Sequence, residues 1–328
     1  MEEVERVVKE RLKTETFRIV KQASGGIVNA GQAFICNTDI GNVFVKYNAT
    51  QHGRPMFQCE FDSLKAMLST NSIRAPRPIE LLEYGASGAV LVIEALEDLK
   101  KVDCDATWRL MGQQVAQMHK HNLDLLEKEE SNLSSVHHKP SHKESGDGGA
   151  VVREFGFHVD HYLGPFFHVP GNSWQKDWLA YFTRNLLGPT FDQIREKQND
   201  KEISEMWSYI QRELGRIFKG RISRPSLLHG DLFEINVGQV NGTPVAFDPQ
   251  CYYGDHEMEA PPSDDFPGPF TEGYDSVLPP SPGAPTRKAL YQLFTNVFLF
   301  LHEVDMEDNK TRAIEEFKKI QEFCSAKE

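Results

Sequence analysis

Apolar and polar positions along the first hundred residues predict a small sheet with one packed helix. Two short apolar runs, 34–36 and 43–46, flank a polar turn, a pattern typical of an antiparallel hairpin whose second strand ends at Lys46. Residues 56–68 carry apolar side chains every three or four positions, as one face of a helix does. The apolar run 89–96 predicts a buried central strand.

The rest of the chain alternates between helical periodicity and one further hairpin. Apolar residues recur at helical spacing in 108–122 and in 287–303, which predicts two core helices. Between them, β-type runs at 237–240 and 245–247 flank Asn241-Gly242, the dipeptide that best tolerates the positive φ angles of a tight turn. Helices are therefore expected to form most of the second part of the chain.

One polar stretch, residues 127–150, interrupts this pattern. It is rich in Ser, Lys, Glu, Gly and His and has almost nothing to bury, so we predict a mobile loop inside the second part. Five histidines lie at a helix end or in this stretch, without acids at ligand spacing: His119, His121, His137, His138 and His142. This spacing favours structural or solvent-facing histidines over a metal site.

Charge and composition exclude several classes of protein. A formal net charge of −12 over 328 residues argues against a surface for nucleic acid, which needs clustered Lys and Arg. Five cysteines, an odd number without a C-x-x-C pair, predict reduced thiols and no zinc site. No signal peptide is recognisable and the apolar runs are too short to span a bilayer, so we expect a cytoplasmic protein without a membrane partner. The oligomeric state is unknown from sequence.

The segment from His229 to Asn236, followed by Asp248, is typical of a phosphoryl-transfer centre. Asp231 can accept a hydroxyl proton, and Asn236, five residues later, offers an amide oxygen to Mg²⁺. The predicted hairpin would bring Asn236 and Asp248 together at its open end. Taken alone, the segment leaves a structural interpretation equally open, because H-x-D is common and an Asp before Pro often starts a turn.

Phosphoryl transfer from ATP also needs a phosphate cover, a cation and a carboxylate that holds this cation in place. Gly25 and Gly26 begin a small-residue segment whose N–H groups could approach phosphate oxygens. Lys46 closes an apolar strand, and Glu60 lies on the apolar face of the predicted helix, where an unpaired carboxylate is costly. We predict that the two pair. The alternative is that both are solvated at the edges of their elements.

The end of the apolar run 89–96 is a candidate hinge between two lobes. Glu94 to Leu96 would then lie where backbone groups pair with adenine. An ordinary core strand fits the same residues, and the pattern alone leaves both interpretations open.

The order of these motifs resembles the fructosamine-3-kinase and ketosamine-3-kinase family over nearly the whole chain. The motifs that carry the resemblance are Val43-Phe44-Val45-Lys46-Tyr47-Asn48, Met56-Phe57 with Glu60, Phe155-Gly156-Phe157-His158, Trp174-Gln175-Lys176-Asp177-Trp178, Asp248-Pro249 and Tyr253-Gly254-Asp255. The resemblance implies a two-lobed α+β, protein-kinase-like fold. Residues 1–94 would form a small N-terminal antiparallel sheet with one helix, and residues 95–328 a larger, mainly helical lobe.

The resemblance also implies a reaction and a set of roles. The reaction is ATP-dependent phosphorylation of the sugar 3-hydroxyl of ketosamines, such as fructosyl- or ribulosyl-lysine, on glycated proteins or small amines. Asp231 would be the catalytic base, and Asn236 and Asp248 would bind Mg²⁺. Lys46 would bind phosphate and Glu60 would orient it.

The resemblance implies two substrate contacts, Phe233 and Trp174, and the chain departs from the family pattern at Glu234 and Ile235. Phe233 stands where the family usually has Trp, and its face can still pack against the C–H edge of a sugar; Trp174 is the other implied substrate contact. Ile235 replaces a glycine and would strain the loop by about 1–3 kcal/mol if that position needs positive φ. Glu234 adds a carboxylate near the metal ligands. A nucleotide-binding pseudokinase, or a kinase for another hydroxyl acceptor, is the alternative.

Overall fold

The computed structural model describes residues 1–22, 31–135, 151–163, 167–169, 171, 173–259 and 266–326. The helices and strands of the first part are α1 Glu2–Leu12, β1 Arg18–Gln22, β2 Gln32–Thr38, β3 Gly41–Asn48, α2 Gly53–Ser69, β4 Pro78–Tyr84 and β5 Gly88–Glu94. The strands form one antiparallel sheet in the order β1-β2-β3-β5-β4. The predicted hairpin and the helix that carries Glu60 are both present, and α1 adds to the single helix that the apolar pattern predicts.

The sheet is packed on both faces, which explains the continuous apolar run of its central strand. Val4 and Val8 of α1 belong to a hydrophobic cluster with Val90 and Val92 of β5. Leu91, between them, belongs to the large cluster that includes α2 and helices of the second part. Because successive side chains of a strand point to opposite faces, β5 contributes to two cores.

The second part of the chain is mainly helical. Its helices are α3 Asp105–Ser135, α4 Trp178–Tyr181, α5 Gly188–Lys197, α6 Lys201–Ile217, α7 Gly268–Asp275, α8 Ala284–Leu301 and α9 Met306–Ser325, with a π-helical turn Phe182–Leu187 between α4 and α5. None of the helices, as far as the structure describes them, is both long and apolar enough to cross a membrane.

Short strands of this part pair in two-stranded sheets. The pairs are β6 His161–Leu163 with β7 Phe167–Val169, β8 Ser226–Leu228 with β11 Tyr252–Gly254, and β9 Val237–Val240 with β10 Thr243–Ala246. Apolar residues of both parts of the chain share the large hydrophobic cluster. The division at residue 94 therefore stays a prediction, although β5 ends there.

The hairpin predicted around Asn241-Gly242 is confirmed. Strands β9 and β10 pair antiparallel, and Asn241 and Gly242 have φ angles of 52° and 75°. Both angles lie in the left-handed region that this tight turn needs. At the open end of the hairpin, Phe247 N–H donates to Asn236 O at 3.0 Å. The hairpin thus returns the chain to the residue that precedes it.

Helix α3 is longer than its apolar pattern indicates, and the prediction of a loop that begins at residue 127 is wrong. The helix continues to Ser135. Its last turns are stabilised by a residue far along the chain, since Glu130 Oε2 lies 3.0 Å from Arg224 Nη2. The rest of the predicted loop, residues 136–150, lies outside the described residues.

Helices α3 and α7 approach each other closely through two glycines. A Cβ built on Gly112 would lie 2.0 Å from Phe270 O, and one built on Gly273 would lie 2.0 Å from Arg109 O. These distances leave no room for a methyl group at either position. The contact between the two helices therefore depends on both glycines.

Gly112→Ala is expected to lower the free energy of unfolding by about 3 kcal/mol, because the methyl group overlaps a backbone carbonyl. Gly215→Ala is the matched control: Gly215 lies in α6 and a Cβ there would have nothing within 4 Å. This control should gain about 0.5–1 kcal/mol, since alanine loses less entropy on folding. Equilibrium unfolding in urea measures the stability of both variants. An equal change in the free energy of unfolding in the two variants would contradict the close approach of α3 and α7.

Candidate active site

A buried ion-pair cluster joins three residues that lie far apart in the sequence. Lys46, in β3, places its Nζ 2.8 Å from Glu60 Oε1 and in direct contact with Asp248 Oδ1. The side chains of Lys46 and Glu60 are 13% and 5% exposed. The pairing expected between Lys46 and Glu60 is therefore present, and solvation of both side chains is excluded.

Packing of the sheet and of α2 explains why these residues meet. Strand β3 is an interior strand, paired with β2 on one side and β5 on the other, so Lys46 extends from the middle of the sheet. Glu60 lies on the side of α2 that carries the buried residues Phe57 and Leu64. Because these apolar residues hold α2 against the sheet, the carboxylate between them faces the lysine.

The charges of this cluster stabilise one another against burial. Burial alone would lower the pKa of Lys46, but the carboxylates of Asp248 and Glu60 raise it above its usual value. Burial raises the pKa of Glu60, and the ammonium group of Lys46 opposes this shift. Lys46 thus remains an ammonium ion, the form that binds phosphate.

Asp231 and Asn236 form one unit in the loop between β8 and β9. Asn236 Nδ2 donates to the main-chain O of Asp231 at 2.8 Å and to its Oδ2 at 2.9 Å. A second contact, 3.1 Å between His229 Nε2 and Phe247 O, holds this loop against the segment that leads to Asp248. The structure therefore brings the two halves of the predicted site together.

The carboxyl group of Asp231 is more basic than that of an ordinary Asp. Burial raises its pKa to about 7, the nearby Asp248 adds to the rise, and the hydrogen bond from Asn236 opposes it. A carboxylate with such a pKa can accept a proton near neutral pH. The arrangement is suited to a general base that Asn236 keeps in place.

Glu259, which the sequence pattern did not single out, holds the backbone just before Asp231. Its Oε2 accepts the N–H of His229 at 2.7 Å, and its Oε1 accepts the N–H of Gly230 at 2.8 Å. His119 Nε2 lies 2.9 Å from the same Oε2. Burial would raise the pKa of Glu259, but the bonds from His119 and His229 hold it below its ordinary value, so the carboxylate is charged.

A second buried network lies beside Glu259. Asp255 accepts a hydrogen bond from Arg221 Nη2 at 2.9 Å, and Glu257 Oε2 lies 2.5 Å from Arg287 Nε. Asp255, Glu257 and Glu259 are all buried and alternate along the chain directly after β11. This alternation of acids is the signal in the sequence that could have identified them as structural supports of the site.

The predicted nucleotide contacts outside the cluster have different outcomes. Glu94 N–H donates to Arg77 O at 2.9 Å, and its carboxylate accepts from Arg77 Nε at 3.2 Å. The N–H of Glu94 is thus not available to adenine, which corrects that part of the prediction. Leu96 follows β5 in an irregular, half-buried segment and stays a prediction. Gly25 and Gly26 lie outside the described residues.

The two predicted substrate contacts belong to different segments of the chain. A Cβ built on Gly156 would lie 3.3 Å from Trp174 Cε3, so the indole packs against this glycine, whose φ is 136°. Gly156 in turn forms a β-bridge with Tyr253 of β11. Phe233 is half-buried and lies in the loop between β8 and β9, shortly after Asp231. As substrate contacts, Trp174 and Phe233 stay predictions.

Comparison with known proteins identifies the family. Residues 1–313 match the family model described as fructosamine kinase. The chain belongs to the fructosamine kinase family. It is 33% identical over 299 residues to ketosamine-3-kinase of Mus musculus, an alignment that covers 89% of this chain and 92% of the mouse protein.

Solved structures of kinase-like proteins share the architecture. A protein of Haemophilus somnus 129PT, named as a candidate fructosamine-3-kinase, superposes with a TM-score of 0.73 at 22% identity, over 97% of each chain. Aminoglycoside phosphotransferase APH(4)-Ia, in ternary complex with ADP and hygromycin B, gives a TM-score of 0.57 at 13% identity, over 97% of this chain and 96% of that one. The fold is the α+β, protein-kinase-like fold expected from the fructosamine kinase motifs.

Asn236 directly precedes β9 and Asp248 follows β10, so oxygen donors of the kind that Mg²⁺ prefers flank this hairpin. Asn236 Nδ2 is bound to Asp231, so Oδ1 is the amide atom that can bind a cation. The Asp248 side chain is 46% exposed. Within the described ranges no group of three or more His, Cys, Asp or Glu could hold a metal ion. An amide oxygen and a partly exposed carboxylate are a donor set that fits Mg²⁺ bound by one or two side chains together with phosphate oxygens.

The departure from the family pattern at Ile235 does not strain the loop. Ile235 lies in the 3₁₀ turn Glu234–Asn236 and is not among the residues with positive φ. Its side chain is 80% exposed. Glu234 is exposed as well, with Oε1 3.9 Å from Lys101 Nζ. The strain expected if this position required positive φ is thus absent.

Ile235→Gly should lower the free energy of unfolding by up to about 1 kcal/mol, because glycine loses more entropy on folding and relieves no strain. Ile235→Ala is the control and should change stability by no more than about 0.5 kcal/mol. Urea denaturation measures both variants. Stabilisation by glycine would reveal a strained backbone and contradict the negative φ.

Glu259→Gln is expected to destabilise the protein by about 1–3 kcal/mol at pH 7, because an amide N–H₂ would then face a backbone N–H. Wild-type Glu259 contributes its stability above its ordinary pKa of 4.5 and loses it as the pH falls through its lower folded value. The difference in the free energy of unfolding between wild type and Glu259→Gln should therefore narrow as the pH falls towards 4. Glu316→Gln is the control. Glu316 is also buried, but one of its carboxylate oxygens has no hydrogen-bond partner, so this variant should lose less stability. Unfolding curves at both pH values provide the measurement.

Proposed function

We propose that this chain phosphorylates the 3-hydroxyl group of ketosamines, such as fructosyl- or ribulosyl-lysine, with ATP as the phosphate donor and Mg²⁺ as the cofactor. Membership of the fructosamine kinase family and the similarity to mouse ketosamine-3-kinase support this reaction class. The observation that carries the proposal is the cluster of Lys46, Glu60 and Asp248 beside the Asp231–Asn236 unit. Acting on glycated proteins or small glycated amines, such an enzyme would serve deglycation.

On the nucleotide side, each member of the cluster has a part. Lys46 would bind the phosphates of ATP, and Glu60 would keep its ammonium group oriented. Mg²⁺ bound by Asn236 and Asp248 would neutralise charge on the β- and γ-phosphates. Because Lys46 contacts Asp248 directly, the phosphate-binding cation and the metal ligand are adjacent, as binding of one triphosphate requires.

On the acceptor side, Asp231 would take the proton of the 3-hydroxyl group. Its pKa of about 7, set mainly by burial, makes it a better base at neutral pH than an exposed Asp. The 2.9 Å bond from Asn236 Nδ2 fixes the orientation of the carboxylate. Phe233 and Trp174 would pack against the C–H face of the sugar.

The alternatives differ in turnover and in acceptor. A pseudokinase would bind nucleotide without transferring phosphate, and the negative φ of Ile235 removes the main sequence argument for such impairment. The similarity to an aminoglycoside phosphotransferase, at 13% identity, concerns the fold alone. The cytoplasmic location expected from the sequence stays a prediction.

Asp231→Asn is expected to lower kcat with fructosyl-lysine by about 10²- to 10⁴-fold, because an amide cannot accept the hydroxyl proton. Mg-ATP should still raise the melting temperature of this variant, since the nucleotide-binding residues are unchanged. Asp192→Asn is the matched control: its carboxylate lies on the surface, 2.9 Å from Arg195 Nη2. A coupled assay of ADP release gives the rates, and equal turnover of Asp231→Asn and wild type would exclude Asp231 as the base.

The same assay with several acceptors separates the candidate functions. Turnover with fructosyl- or ribulosyl-lysine supports the proposal. Turnover confined to an aminoglycoside or to choline would replace the ketosamine acceptor. Stabilisation by Mg-ATP without turnover of any acceptor would identify a pseudokinase.

A further inference from the structure

Helix α2 makes a second buried contact with the segment that carries Asp248, one turn beyond Glu60. Ser63 Oγ accepts the backbone N–H of Cys251 at 2.8 Å. Both Ser63 and Cys251 have no exposed surface. This hydrogen bond links the helix to the segment without involving any residue of the charged cluster.

The spacing of the two contacts is the same on both elements. Glu60 and Ser63 lie three residues apart on one side of α2, and Asp248 and Cys251 lie three residues apart along the opposing segment. Through Lys46, the first contact fixes one point. Apolar packing holds α2 against the sheet, and the bond between Ser63 and Cys251 adds a second polar contact that fixes the register of the helix against this segment.

The same segment is bonded to the catalytic loop on its other side. Gln250 N–H donates to His229 O at 2.8 Å, and His229 Nε2 lies 3.1 Å from Phe247 O. Residues 247–251 therefore lie between α2 and the loop of Asp231. A shift of α2 relative to this segment would change the distance from Lys46 to Asp248 if the sheet moves with α2, and the distance from Lys46 to Glu60 if it does not.

The groups around Ser63 cannot replace its hydroxyl. Cys59 Sγ lies 3.8 Å from Ser63 Oγ, and Cys251 Sγ lies 3.8 Å from Ser63 O. Burial raises the pKa of the Cys59 thiol to about 12 and holds that of Cys251 well above its usual range. Both are neutral thiols, which are weak hydrogen-bond partners. The hydroxyl group of Ser63 is thus the strong acceptor for the Cys251 N–H.

We propose that Ser63 is a positioning residue of the nucleotide site. It holds α2 in register with residues 248–251, and so keeps Glu60 and Asp248 at their distances from Lys46. The part of this inference that concerns Mg-ATP rests on the proposed function. The part that concerns the segment itself does not.

The test compares Ser63→Ala and Ser63→Cys with Ser63→Thr in the 328-residue chain. The first two remove the strong acceptor and should weaken binding of Mg-AMP-PNP about tenfold in titration calorimetry. Ser63→Thr keeps the hydroxyl and should restore affinity to within about twofold of wild type. Ser69→Ala is the matched control in the same helix: Ser69 Oγ bonds only to Ala66 O, at 2.8 Å, among the described contacts, and affinity should not change.

Hydrogen exchange of the backbone provides a readout that needs no nucleotide. Peptides that contain the Cys251 amide should exchange at least about tenfold faster in Ser63→Ala than in wild type or Ser69→Ala, because this amide loses its buried acceptor. Unchanged exchange together with unchanged Mg-AMP-PNP affinity would overturn the inference. So would a loss of affinity that Ser63→Thr does not restore. Failure of the wild type to phosphorylate any ketosamine would instead count against the proposed function, and the exchange result would still decide the role of Ser63.

Discussion

The fold depends on one buried ammonium group held between two carboxylates. Lys46 comes from the sheet, Glu60 from α2, and Asp248 from a segment about two hundred residues later. Removal of Lys46 would leave the buried carboxylate of Glu60 without its cation, which is far more costly than loss of a surface ion pair. The sheet, the helix and the later segment must therefore assemble together, and the site they form is available as soon as the fold is complete.

Around this cluster, the loop that carries Asp231 is held by two groups outside the chemistry we propose, Glu259 and His119, and by the proposed metal ligand Asn236. Glu259 accepts the two N–H groups before Asp231, and His119 holds Glu259 from α3. Asn236 closes the loop from its other end. A charged acceptor in a dry environment binds backbone N–H groups strongly. The position of the Asp231 carboxylate is therefore determined by the rigid interior of the helical part and not by the flexibility of a surface loop.

Features that depend on local sequence patterns could be predicted, whereas contacts between residues far apart in the sequence could not. The hairpin at Asn241-Gly242 and the burial of Glu60 follow from turn chemistry and helical spacing, both of which are local. Glu259 and His119, by contrast, meet across 140 residues, and no periodicity connects them. The last turns of α3 were missed for a similar reason, because Glu130 pairs with Arg224, a residue that only folding brings near. Ile235 shows a third case, in which a missing glycine suggests strain and the backbone angle decides against it.

The proposed nucleotide contacts and the proposed acceptor contacts are held by different kinds of interaction, and this difference has a consequence for specificity. The proposed nucleotide contacts Lys46, Glu60 and Asp248 are charged groups bonded to one another, and their neighbours Val45 and Phe57 belong to the two hydrophobic clusters, so substitutions there are costly. The proposed acceptor contacts are Trp174, which packs against the bridged Gly156, and the half-buried Phe233. Aromatic packing tolerates changes of shape better than a buried charge tolerates loss of its partner. A change of acceptor is therefore expected to begin at these aromatic residues, while Lys46 stays as it is.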